Sequence, residues 1–181
     1  MQGFVFAVAA FITLLLGIGG YFAFQARKQA SATWSSLLAR LKSVHREDIA
    51  RVAFDFTGED SHGTAIETSE LSPEAIWNLV GGMEGLDALE ANCDVLIDLA
   101  CYVQRWYPEA VVTAEELRLS AREIKWHIER LRGAAVTGHL RSAFPEYAQR
   151  AVATYYRMTE TVLALYEQAH VPGLPELKAA L

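Results

Sequence analysis

The chain has 181 residues, 52% of them hydrophobic, and a formal net charge of −6. This length allows one domain with a real core beside a short accessory segment, and is too short for two comfortable domains. The negative charge is concentrated between residues 47 and 116, where sixteen acids accompany only Arg51 and Arg105 as bases. Because phosphate binding needs a basic face, this distribution disfavours nucleic acid as a partner.

The first element is an apolar stretch, residues 4–24, that contains no charged side chain. As a helix it would extend roughly 31 Å, which matches the hydrocarbon core of a bilayer. A cleaved signal peptide is the alternative, and residues 30–32 have the shape of a cleavage site. That site lies beyond Arg27 and Lys28, and the apolar run exceeds the usual length of a signal sequence. We therefore expect residues 1–24 to form a single, uncleaved transmembrane anchor.

Basic residues follow the span and orient it. Five bases lie between residues 25 and 46, and no acid precedes Glu47. Such an excess marks the cytoplasmic side of a membrane helix and suits anionic lipid headgroups. We expect a single-pass membrane protein with a short N-terminus outside and residues 25–181 as a cytoplasmic domain.

The span also carries a row of small side chains. Ala9, Thr13 and Gly17 repeat at four-residue spacing. This spacing lets two membrane helices approach closely, because small residues keep the backbones near each other. Homo-oligomerisation through this row is therefore a hypothesis, and the bilayer itself is an expected partner.

The anchor is predicted to continue as a helix without a break, since residues 25–47 contain neither Gly nor Pro. Its apolar positions at helical spacing are Trp34, Leu37, Leu38, Leu41 and Val44. The helical spacing of apolar residues then ends, and Val52, Phe54 and Phe56 stand at every second position, as apolar residues do in a strand. Residues 49–72 are therefore an uncertain connection. We favour a helix to about Phe56 followed by an irregular acidic stretch, with a hairpin across residues 58–63 as the alternative.

Three long helices are predicted beyond this connection. A capped start at residues 72–74 opens a short helix or kinked prelude, which the glycines in residues 81–85 interrupt. The first long helix follows this prelude. A capping box at residues 113–116 opens the second, which Gly138 ends, and the third follows Phe144 and Pro145. Their apolar seams are Leu86, Leu89, Cys93, Leu96, Ala100, Val103 and Tyr107; Leu117, Ala121, Ile124, Ile128, Leu131 and Ala135; and Ala148, Val152, Tyr155, Thr159, Val162, Tyr166 and Ala169.

These patterns predict an all-α fold, in which the N-terminal transmembrane helix continues into an antiparallel cytoplasmic bundle of about four helices. Acids on the first long helix and bases on the next should lie level with one another. The expected pairs are Asp98 with Arg122, Asp94 with Lys125, and Glu90 with Arg130. Cys93 and Cys101 lie about 12 Å apart along one helix, too far for a disulfide, and free thiols fit a reducing cytoplasm.

Few residues suggest a metal site or a catalytic site. Two Glu-x-x-His pairs, Glu59 with His62 and Glu167 with His170, match part of a di-iron motif, but the inward carboxylates that such a site needs are missing from the seams. His127, with Glu123 one turn before it, could act as a general base. We favour ordinary helix surface for His127, because no nucleophile is identifiable beside it.

The glycine-rich residues 81–85 resemble a phosphate loop only in composition. No strand precedes them, and Glu84 would repel phosphate, so we interpret them as a hinge or a close helix crossing. Aromatic residues are more numerous than the seams can bury. Those off the seams are Tyr102, Trp106, Trp126 and Tyr156. Either the bundle is broad or these side chains form a contact patch.

Two functions of different classes follow. We favour a non-enzymatic, membrane-anchored interaction module that binds a protein partner as an accessory, assembly or scaffold subunit, since the acidic middle and the surplus aromatics suit it. The alternative is a bundle that holds a metal or small molecule in its core, as a sensor or an enzyme, which only the histidines support. No catalytic, cofactor-binding or metal-ligating residue is assigned, and no cofactor is expected.

Overall fold

The structure, a computed structural model, describes residues 11–13, 17, 33–57 and 71–181. The chain divides into two compact units, Met1–Thr33 and Trp34–Leu181. In the first unit, residues 11–13 and 17 are helical. The rest of the proposed anchor over residues 4–24, and its continuation to residue 32, lie outside the described residues. Among the helices that are described, none combines the length and apolar character needed to cross a membrane.

The second unit is all-helical where it is described. Its seven helices are α1 (Trp34–Leu38), α2 (Arg46–Thr57), α3 (Pro73–Val80), α4 (Gly82–Val103), α5 (Ala110–Val136), α6 (Leu140–Gln168) and α7 (Leu174–Ala180). The predicted all-α helical bundle is therefore confirmed for this part of the chain. The short helices α1, α3 and α7 add to the expected long ones.

The core is built by α4, α5 and α6. The α6 helix is central, since it packs against α2, α3, α4, α5 and α7. The three predicted seams face inward, and all their residues are buried except Tyr107, Ala135 and Ala169, which lie at the last turn of a helix or beyond it. Each large apolar side chain that is fully buried contributes about 1.5–3 kcal/mol. Heptad-like spacing thus located the main core correctly.

Charge pairs confirm the antiparallel packing of α4 and α5. The Lys125 Nζ lies 3.1 Å from the Asp94 carboxylate, as the sequence predicts. Glu90, however, pairs with Arg132 at 2.8 Å rather than with Arg130. The prediction failed there because the Arg130 guanidinium instead lies 4.9 Å above the Trp126 ring.

The predicted unbroken helix leading to Phe56 is wrong within residues 33–57. The α1 helix ends at Leu38, and residues 39–45 follow a non-helical path before α2 begins. The Lys42 backbone N–H donates to Asn92 Oδ1 at 2.8 Å, and Asn92 Nδ2 donates to the Lys42 carbonyl at 2.9 Å. A side chain of α4 therefore takes the hydrogen bonds that a continuous helix would need.

A second contact fixes the same segment. Arg40 Nη1 lies 2.7 Å from Asp98, so Asp98 is not paired with Arg122 as predicted. The favoured helix is thus broken before Arg46, but its end near Phe56 is confirmed, since α2 extends to Thr57. A strand over residues 52–56 is thereby ruled out, whereas the proposed hairpin turn at residues 58–63 lies outside the described residues.

The glycine-rich stretch forms a close helix crossing, as predicted. Ser72 caps α3 by accepting the Ala75 N–H at 3.2 Å, and Gly81 ends that helix with a φ of 79°. A Cβ added to Gly85 would come within 1.7 Å of the Val80 carbonyl oxygen. Only glycine fits at position 85, because α4 leaves α3 at this point with its backbone almost in contact.

Two predicted helix starts are wrong. The α5 helix begins at Ala110, so the expected capping box at residues 113–116 lies inside it. The carbonyl of Tyr107 accepts the Ala110 N–H at 3.1 Å, and the helix forms directly from this turn. The α6 helix begins at Leu140 and contains Pro145. Phe144 is 2% exposed, and its burial favours a helix that runs through the proline.

Candidate functional site

A cleft of about 520 Å³ opens where α3, the end of α5 and the start of α6 meet. Its volume lies within the range of about 300–1,000 Å³ that is typical of ligand sites. The residues that line it, here called the Trp77 cleft, are Pro73, Glu74, Trp77, Asn78, Ala135, Gly138, Leu140, Arg141 and Phe144. The sequence analysis did not identify this site.

The floor of the Trp77 cleft is a packed aromatic pair. The ring centroids of Trp77 and Phe144 are 4.4 Å apart. Phe144 is buried, while 39% of Trp77 remains exposed. The indole also lies against Gly82, where an added Cβ would come within 2.8 Å of Trp77 Cζ2. Because the tryptophan is held on both sides, it presents a fixed apolar surface.

The rim of the Trp77 cleft is polar. Glu74 and Asn78 project from α3, Arg141 projects from α6, and all three are exposed. Toward the other described residues, the charged groups of Glu74 and Arg141 form no ion pair. The apolar floor can hold an apolar group of a bound molecule. The one unpaired charge of each sign at the edge can orient polar groups that flank it.

His127 is the residue whose environment differs most from the one predicted from the sequence. It is 3% exposed and lies beside the rings of Trp126 and Tyr147, at centroid distances of 4.9 and 5.7 Å. Its Nε2 is 3.8 Å from the Glu123 carboxylate, while its buried Nδ1 finds no hydrogen-bond partner among the described residues. The expectation of helix surface is wrong because α6 covers this position with Tyr147.

Burial lowers the pKa of His127, and the positive charge of Arg150 acts in the same direction. The Glu123 carboxylate opposes this shift without cancelling it. The imidazole is therefore neutral in the folded chain at neutral pH, and it lacks the partner on Nδ1 that would orient a general base.

This shift predicts a pH dependence of stability. As the pH falls below about 6.5, the unfolded chain binds a proton at His127 before the folded chain does, so folding stability is lost toward lower pH. The slope from this group is at most about 1.4 kcal/mol per pH unit. We expect His127→Gln to lose less stability than the wild-type chain between pH 7.5 and 5.5 in urea unfolding. Equal losses in both proteins would contradict the assignment.

The two Glu-x-x-His pairs do not form a site where they are described. Glu59 and His62 lie outside the described residues. Glu167 and His170 are exposed at the end of α6, where His170 Nδ1 is 2.9 Å from the Gln168 carbonyl oxygen. Across residues 33–57 and 71–181, no three His, Cys, Asp or Glu side chains group as metal ligands.

The cysteines are structural. Cys93 and Cys101 are free and buried, which confirms the prediction that they form no disulfide. Burial raises the pKa of Cys93 to about 12 and also raises the pKa of Cys101. Both thiols are therefore protonated and unreactive at neutral pH.

The off-seam aromatic residues divide between the two alternatives. Tyr156 is half-buried and packs on Phe54 at 5.2 Å, and Tyr102 packs on Trp106 at the same distance. Trp106 and Trp126 remain 48% and 50% exposed. The bundle is thus broader than its seams, and it also presents aromatic surface.

Comparison with known proteins identifies no relative: no protein-family model, curated protein or solved structure matches this chain.

Proposed function

We propose that this protein is a non-enzymatic, membrane-anchored interaction module that binds a protein partner at the cytoplasmic face of a membrane. The uncharged residues 4–24 would form the anchor, and the five bases between residues 25 and 46 would keep the domain in the cytoplasm. An accessory, assembly or scaffold subunit fits this arrangement.

The observation that carries the proposal is the Trp77 cleft. Its apolar floor and charged rim have the organisation of a protein interface, where a buried aromatic centre is surrounded by polar groups. The occupant we propose is a partner segment that inserts a large apolar side chain against Trp77. Flanking charges on that segment would pair with Glu74 and Arg141. The lining offers one carboxylate, Glu74, and no hydroxyl, thiol or imidazole for it to act with, which supports binding rather than catalysis.

A small molecule is the second candidate occupant. The cleft volume of about 520 Å³ suits a ligand as well as a side chain, and the same apolar floor would hold either. The sequence suggested a ligand in the bundle core as the alternative function. In this second candidate the ligand instead binds at the bundle surface.

A photo-reactive amino acid placed at Asn78 tests the proposal in native membranes. We expect the full chain to form a discrete adduct with another protein, because Asn78 lines the cleft and is exposed. Adding Ala135→Arg, which fills the cleft from α5, should abolish the adduct. Ala179→Arg makes the same change at an exposed position of α7 and should leave the adduct intact.

The mass of the adduct separates the candidates. A protein-sized increase that is sensitive to Ala135→Arg supports the proposed function, whereas an increase of a few hundred daltons would identify a small molecule. An adduct that survives Ala135→Arg, or no adduct at all, would show that the cleft is not the binding site.

A further inference from the structure

The outward face of α5 carries an apolar row that the bundle leaves largely uncovered. Val112 and Leu119 are each 63% exposed, and Trp126 is 50% exposed. They are spaced seven residues apart, and Gly133 continues the row. Seven residues make almost two helical turns, so these positions align along one line with steps of about 10.5 Å. The α4 and α6 helices pack on α5 and leave Val112 and Leu119 mostly exposed, while the Tyr147 ring of α6 lies 6.0 Å from the Trp126 ring and covers part of it.

Charged residues flank the row in a self-complementary order. Arg122 and Glu129 lie along one edge, and Glu123 and Arg130 lie along the other. Consider two antiparallel α5 helices whose two-fold axis passes at Trp126. A residue a given number of positions before Trp126 in one copy then lies at the same height as the residue equally far after Trp126 in the other copy. Arg122 then meets Glu129 of the second copy, and Glu123 meets Arg130 of the second copy, to within one residue. Two-fold symmetry repeats both contacts, which gives four attractive pairs.

Other arrangements of the same face bring like charges together. A parallel, in-register pair would keep attractive contacts of Arg122 with Glu123 and of Glu129 with Arg130, but it would also place Glu115 beside Glu116 of the second copy. A two-fold axis at Leu119 would instead place Glu116 opposite Glu123. Like charges held opposite each other destabilise a helix pair and act against the wrong register. Of these three arrangements, the antiparallel pair centred on Trp126 is the one that brings no like charges together, and the charge order therefore favours it.

The same register accounts for Gly133. A Cβ added there would meet nothing within 4 Å, so no contact among the described residues requires glycine. Glycine inside a helix is less favourable than alanine. In the antiparallel pair, Gly133 lies opposite Leu119 of the second copy and leaves room for its side chain, as a hole receives a knob.

Two of the flanking charges already have neighbours on their own helix: Glu129 pairs with Arg132, and Glu123 lies 3.8 Å from His127. Both acids are exposed, and an exposed pair is weak enough to exchange partners. Arg122 forms no ion pair with another residue in the described ranges. The Arg130 guanidinium is held 4.9 Å above the Trp126 ring, which places it at the edge of the row.

We propose that two copies of this protein associate through α5, antiparallel and centred on Trp126, as a two-fold homodimer. This interface is separate from the Trp77 cleft and from the row of Ala9, Thr13 and Gly17. It does not depend on the proposed function.

A charge-swap series on the full chain in mild detergent tests the interface by sedimentation equilibrium. Arg122→Glu or Glu129→Arg alone reverses two pairs and should weaken dimerisation roughly tenfold, because each exposed pair is individually weak. The double variant exchanges the charges and should recover to within about threefold of wild type. Arg51→Glu, an exposed change on α2, is the matched control and should have no effect.

Cross-linking with a short bifunctional maleimide tests the direction of the pair. The combined Leu119→Cys and Gly133→Cys variant should give a covalent dimer, while Leu119→Cys alone should not, because two such positions would lie about 21 Å apart along the axis. The buried Cys93 and Cys101 should not react. A monomer at all concentrations, a double swap that fails to recover, or a dimer from Leu119→Cys alone would overturn the proposal.

Discussion

Asn92→Ala is expected to lower the free energy of unfolding by about 2–4 kcal/mol. The Asn92 carboxamide is 1% exposed and bonds both backbone groups of Lys42, at 2.8 and 2.9 Å. It also donates to the Tyr155 hydroxyl at 3.2 Å. Alanine removes all three bonds and leaves the Tyr155 oxygen buried without this partner, which costs more than the bonds themselves.

Urea unfolding of the full chain in mild detergent, followed by circular dichroism, measures this effect. Asn78→Ala is the matched control, since Asn78 is exposed on α3 and its side chain forms no hydrogen bond with a described residue. We expect the control to change stability by less than about 0.5 kcal/mol. Limited proteolysis of Asn92→Ala should also cut faster within residues 39–45. If Asn92→Ala is as stable as the control, this side chain does not hold that segment.

Asn92 also shows where sequence reasoning stops. Nothing near Lys42 predicts a break, because residues 25–47 contain no glycine or proline and have good helical spacing. The break is caused by a side chain on α4, far away along the chain. Asn92 itself occupies an ordinary position beside Cys93 on a helix. Local propensity was overridden by a tertiary hydrogen bond, and only the fold reveals the partner.

The bundle core was predictable for a physical reason. Residues such as Leu96, Ile128 and Val152 recur at intervals of three and four, and burying one continuous stripe already restricts which helix faces meet. The antiparallel order of α4 and α5, with Asp94 opposite Lys125, follows from their short connection.

The candidate sites depend on contacts between side chains of different helices. The apolar stripe of one helix does not predict these contacts. His127 lies next to a seam position, and its burial is decided by Tyr147 on another helix. The Trp77 cleft exists because Trp77 packs on Phe144, which α6 keeps buried by continuing through Pro145. A tryptophan in a short helix beside a glycine crossing was the available signal, yet it did not distinguish a packed ring from an exposed one.

The largest expected effect concerns membrane topology. A reporter enzyme that is active only in the cytoplasm, fused after Leu181, should be fully active, because the five bases between residues 25 and 46 favour retention on that side. The fusion should stay in the membrane fraction after alkaline carbonate extraction, and deleting residues 4–24 should release it. Replacing Arg27 and Lys28 with Glu should weaken the orientation and give a mixed population.

A pair of reporter fusions after Leu181, measured in parallel on the intact chain, tests membrane anchoring most directly. We expect activity from the cytoplasmic reporter, inactivity of a reporter that works only outside, and both fusions in the membrane pellet. Activity of the outside reporter, or recovery of the intact fusion in the soluble fraction, would contradict it.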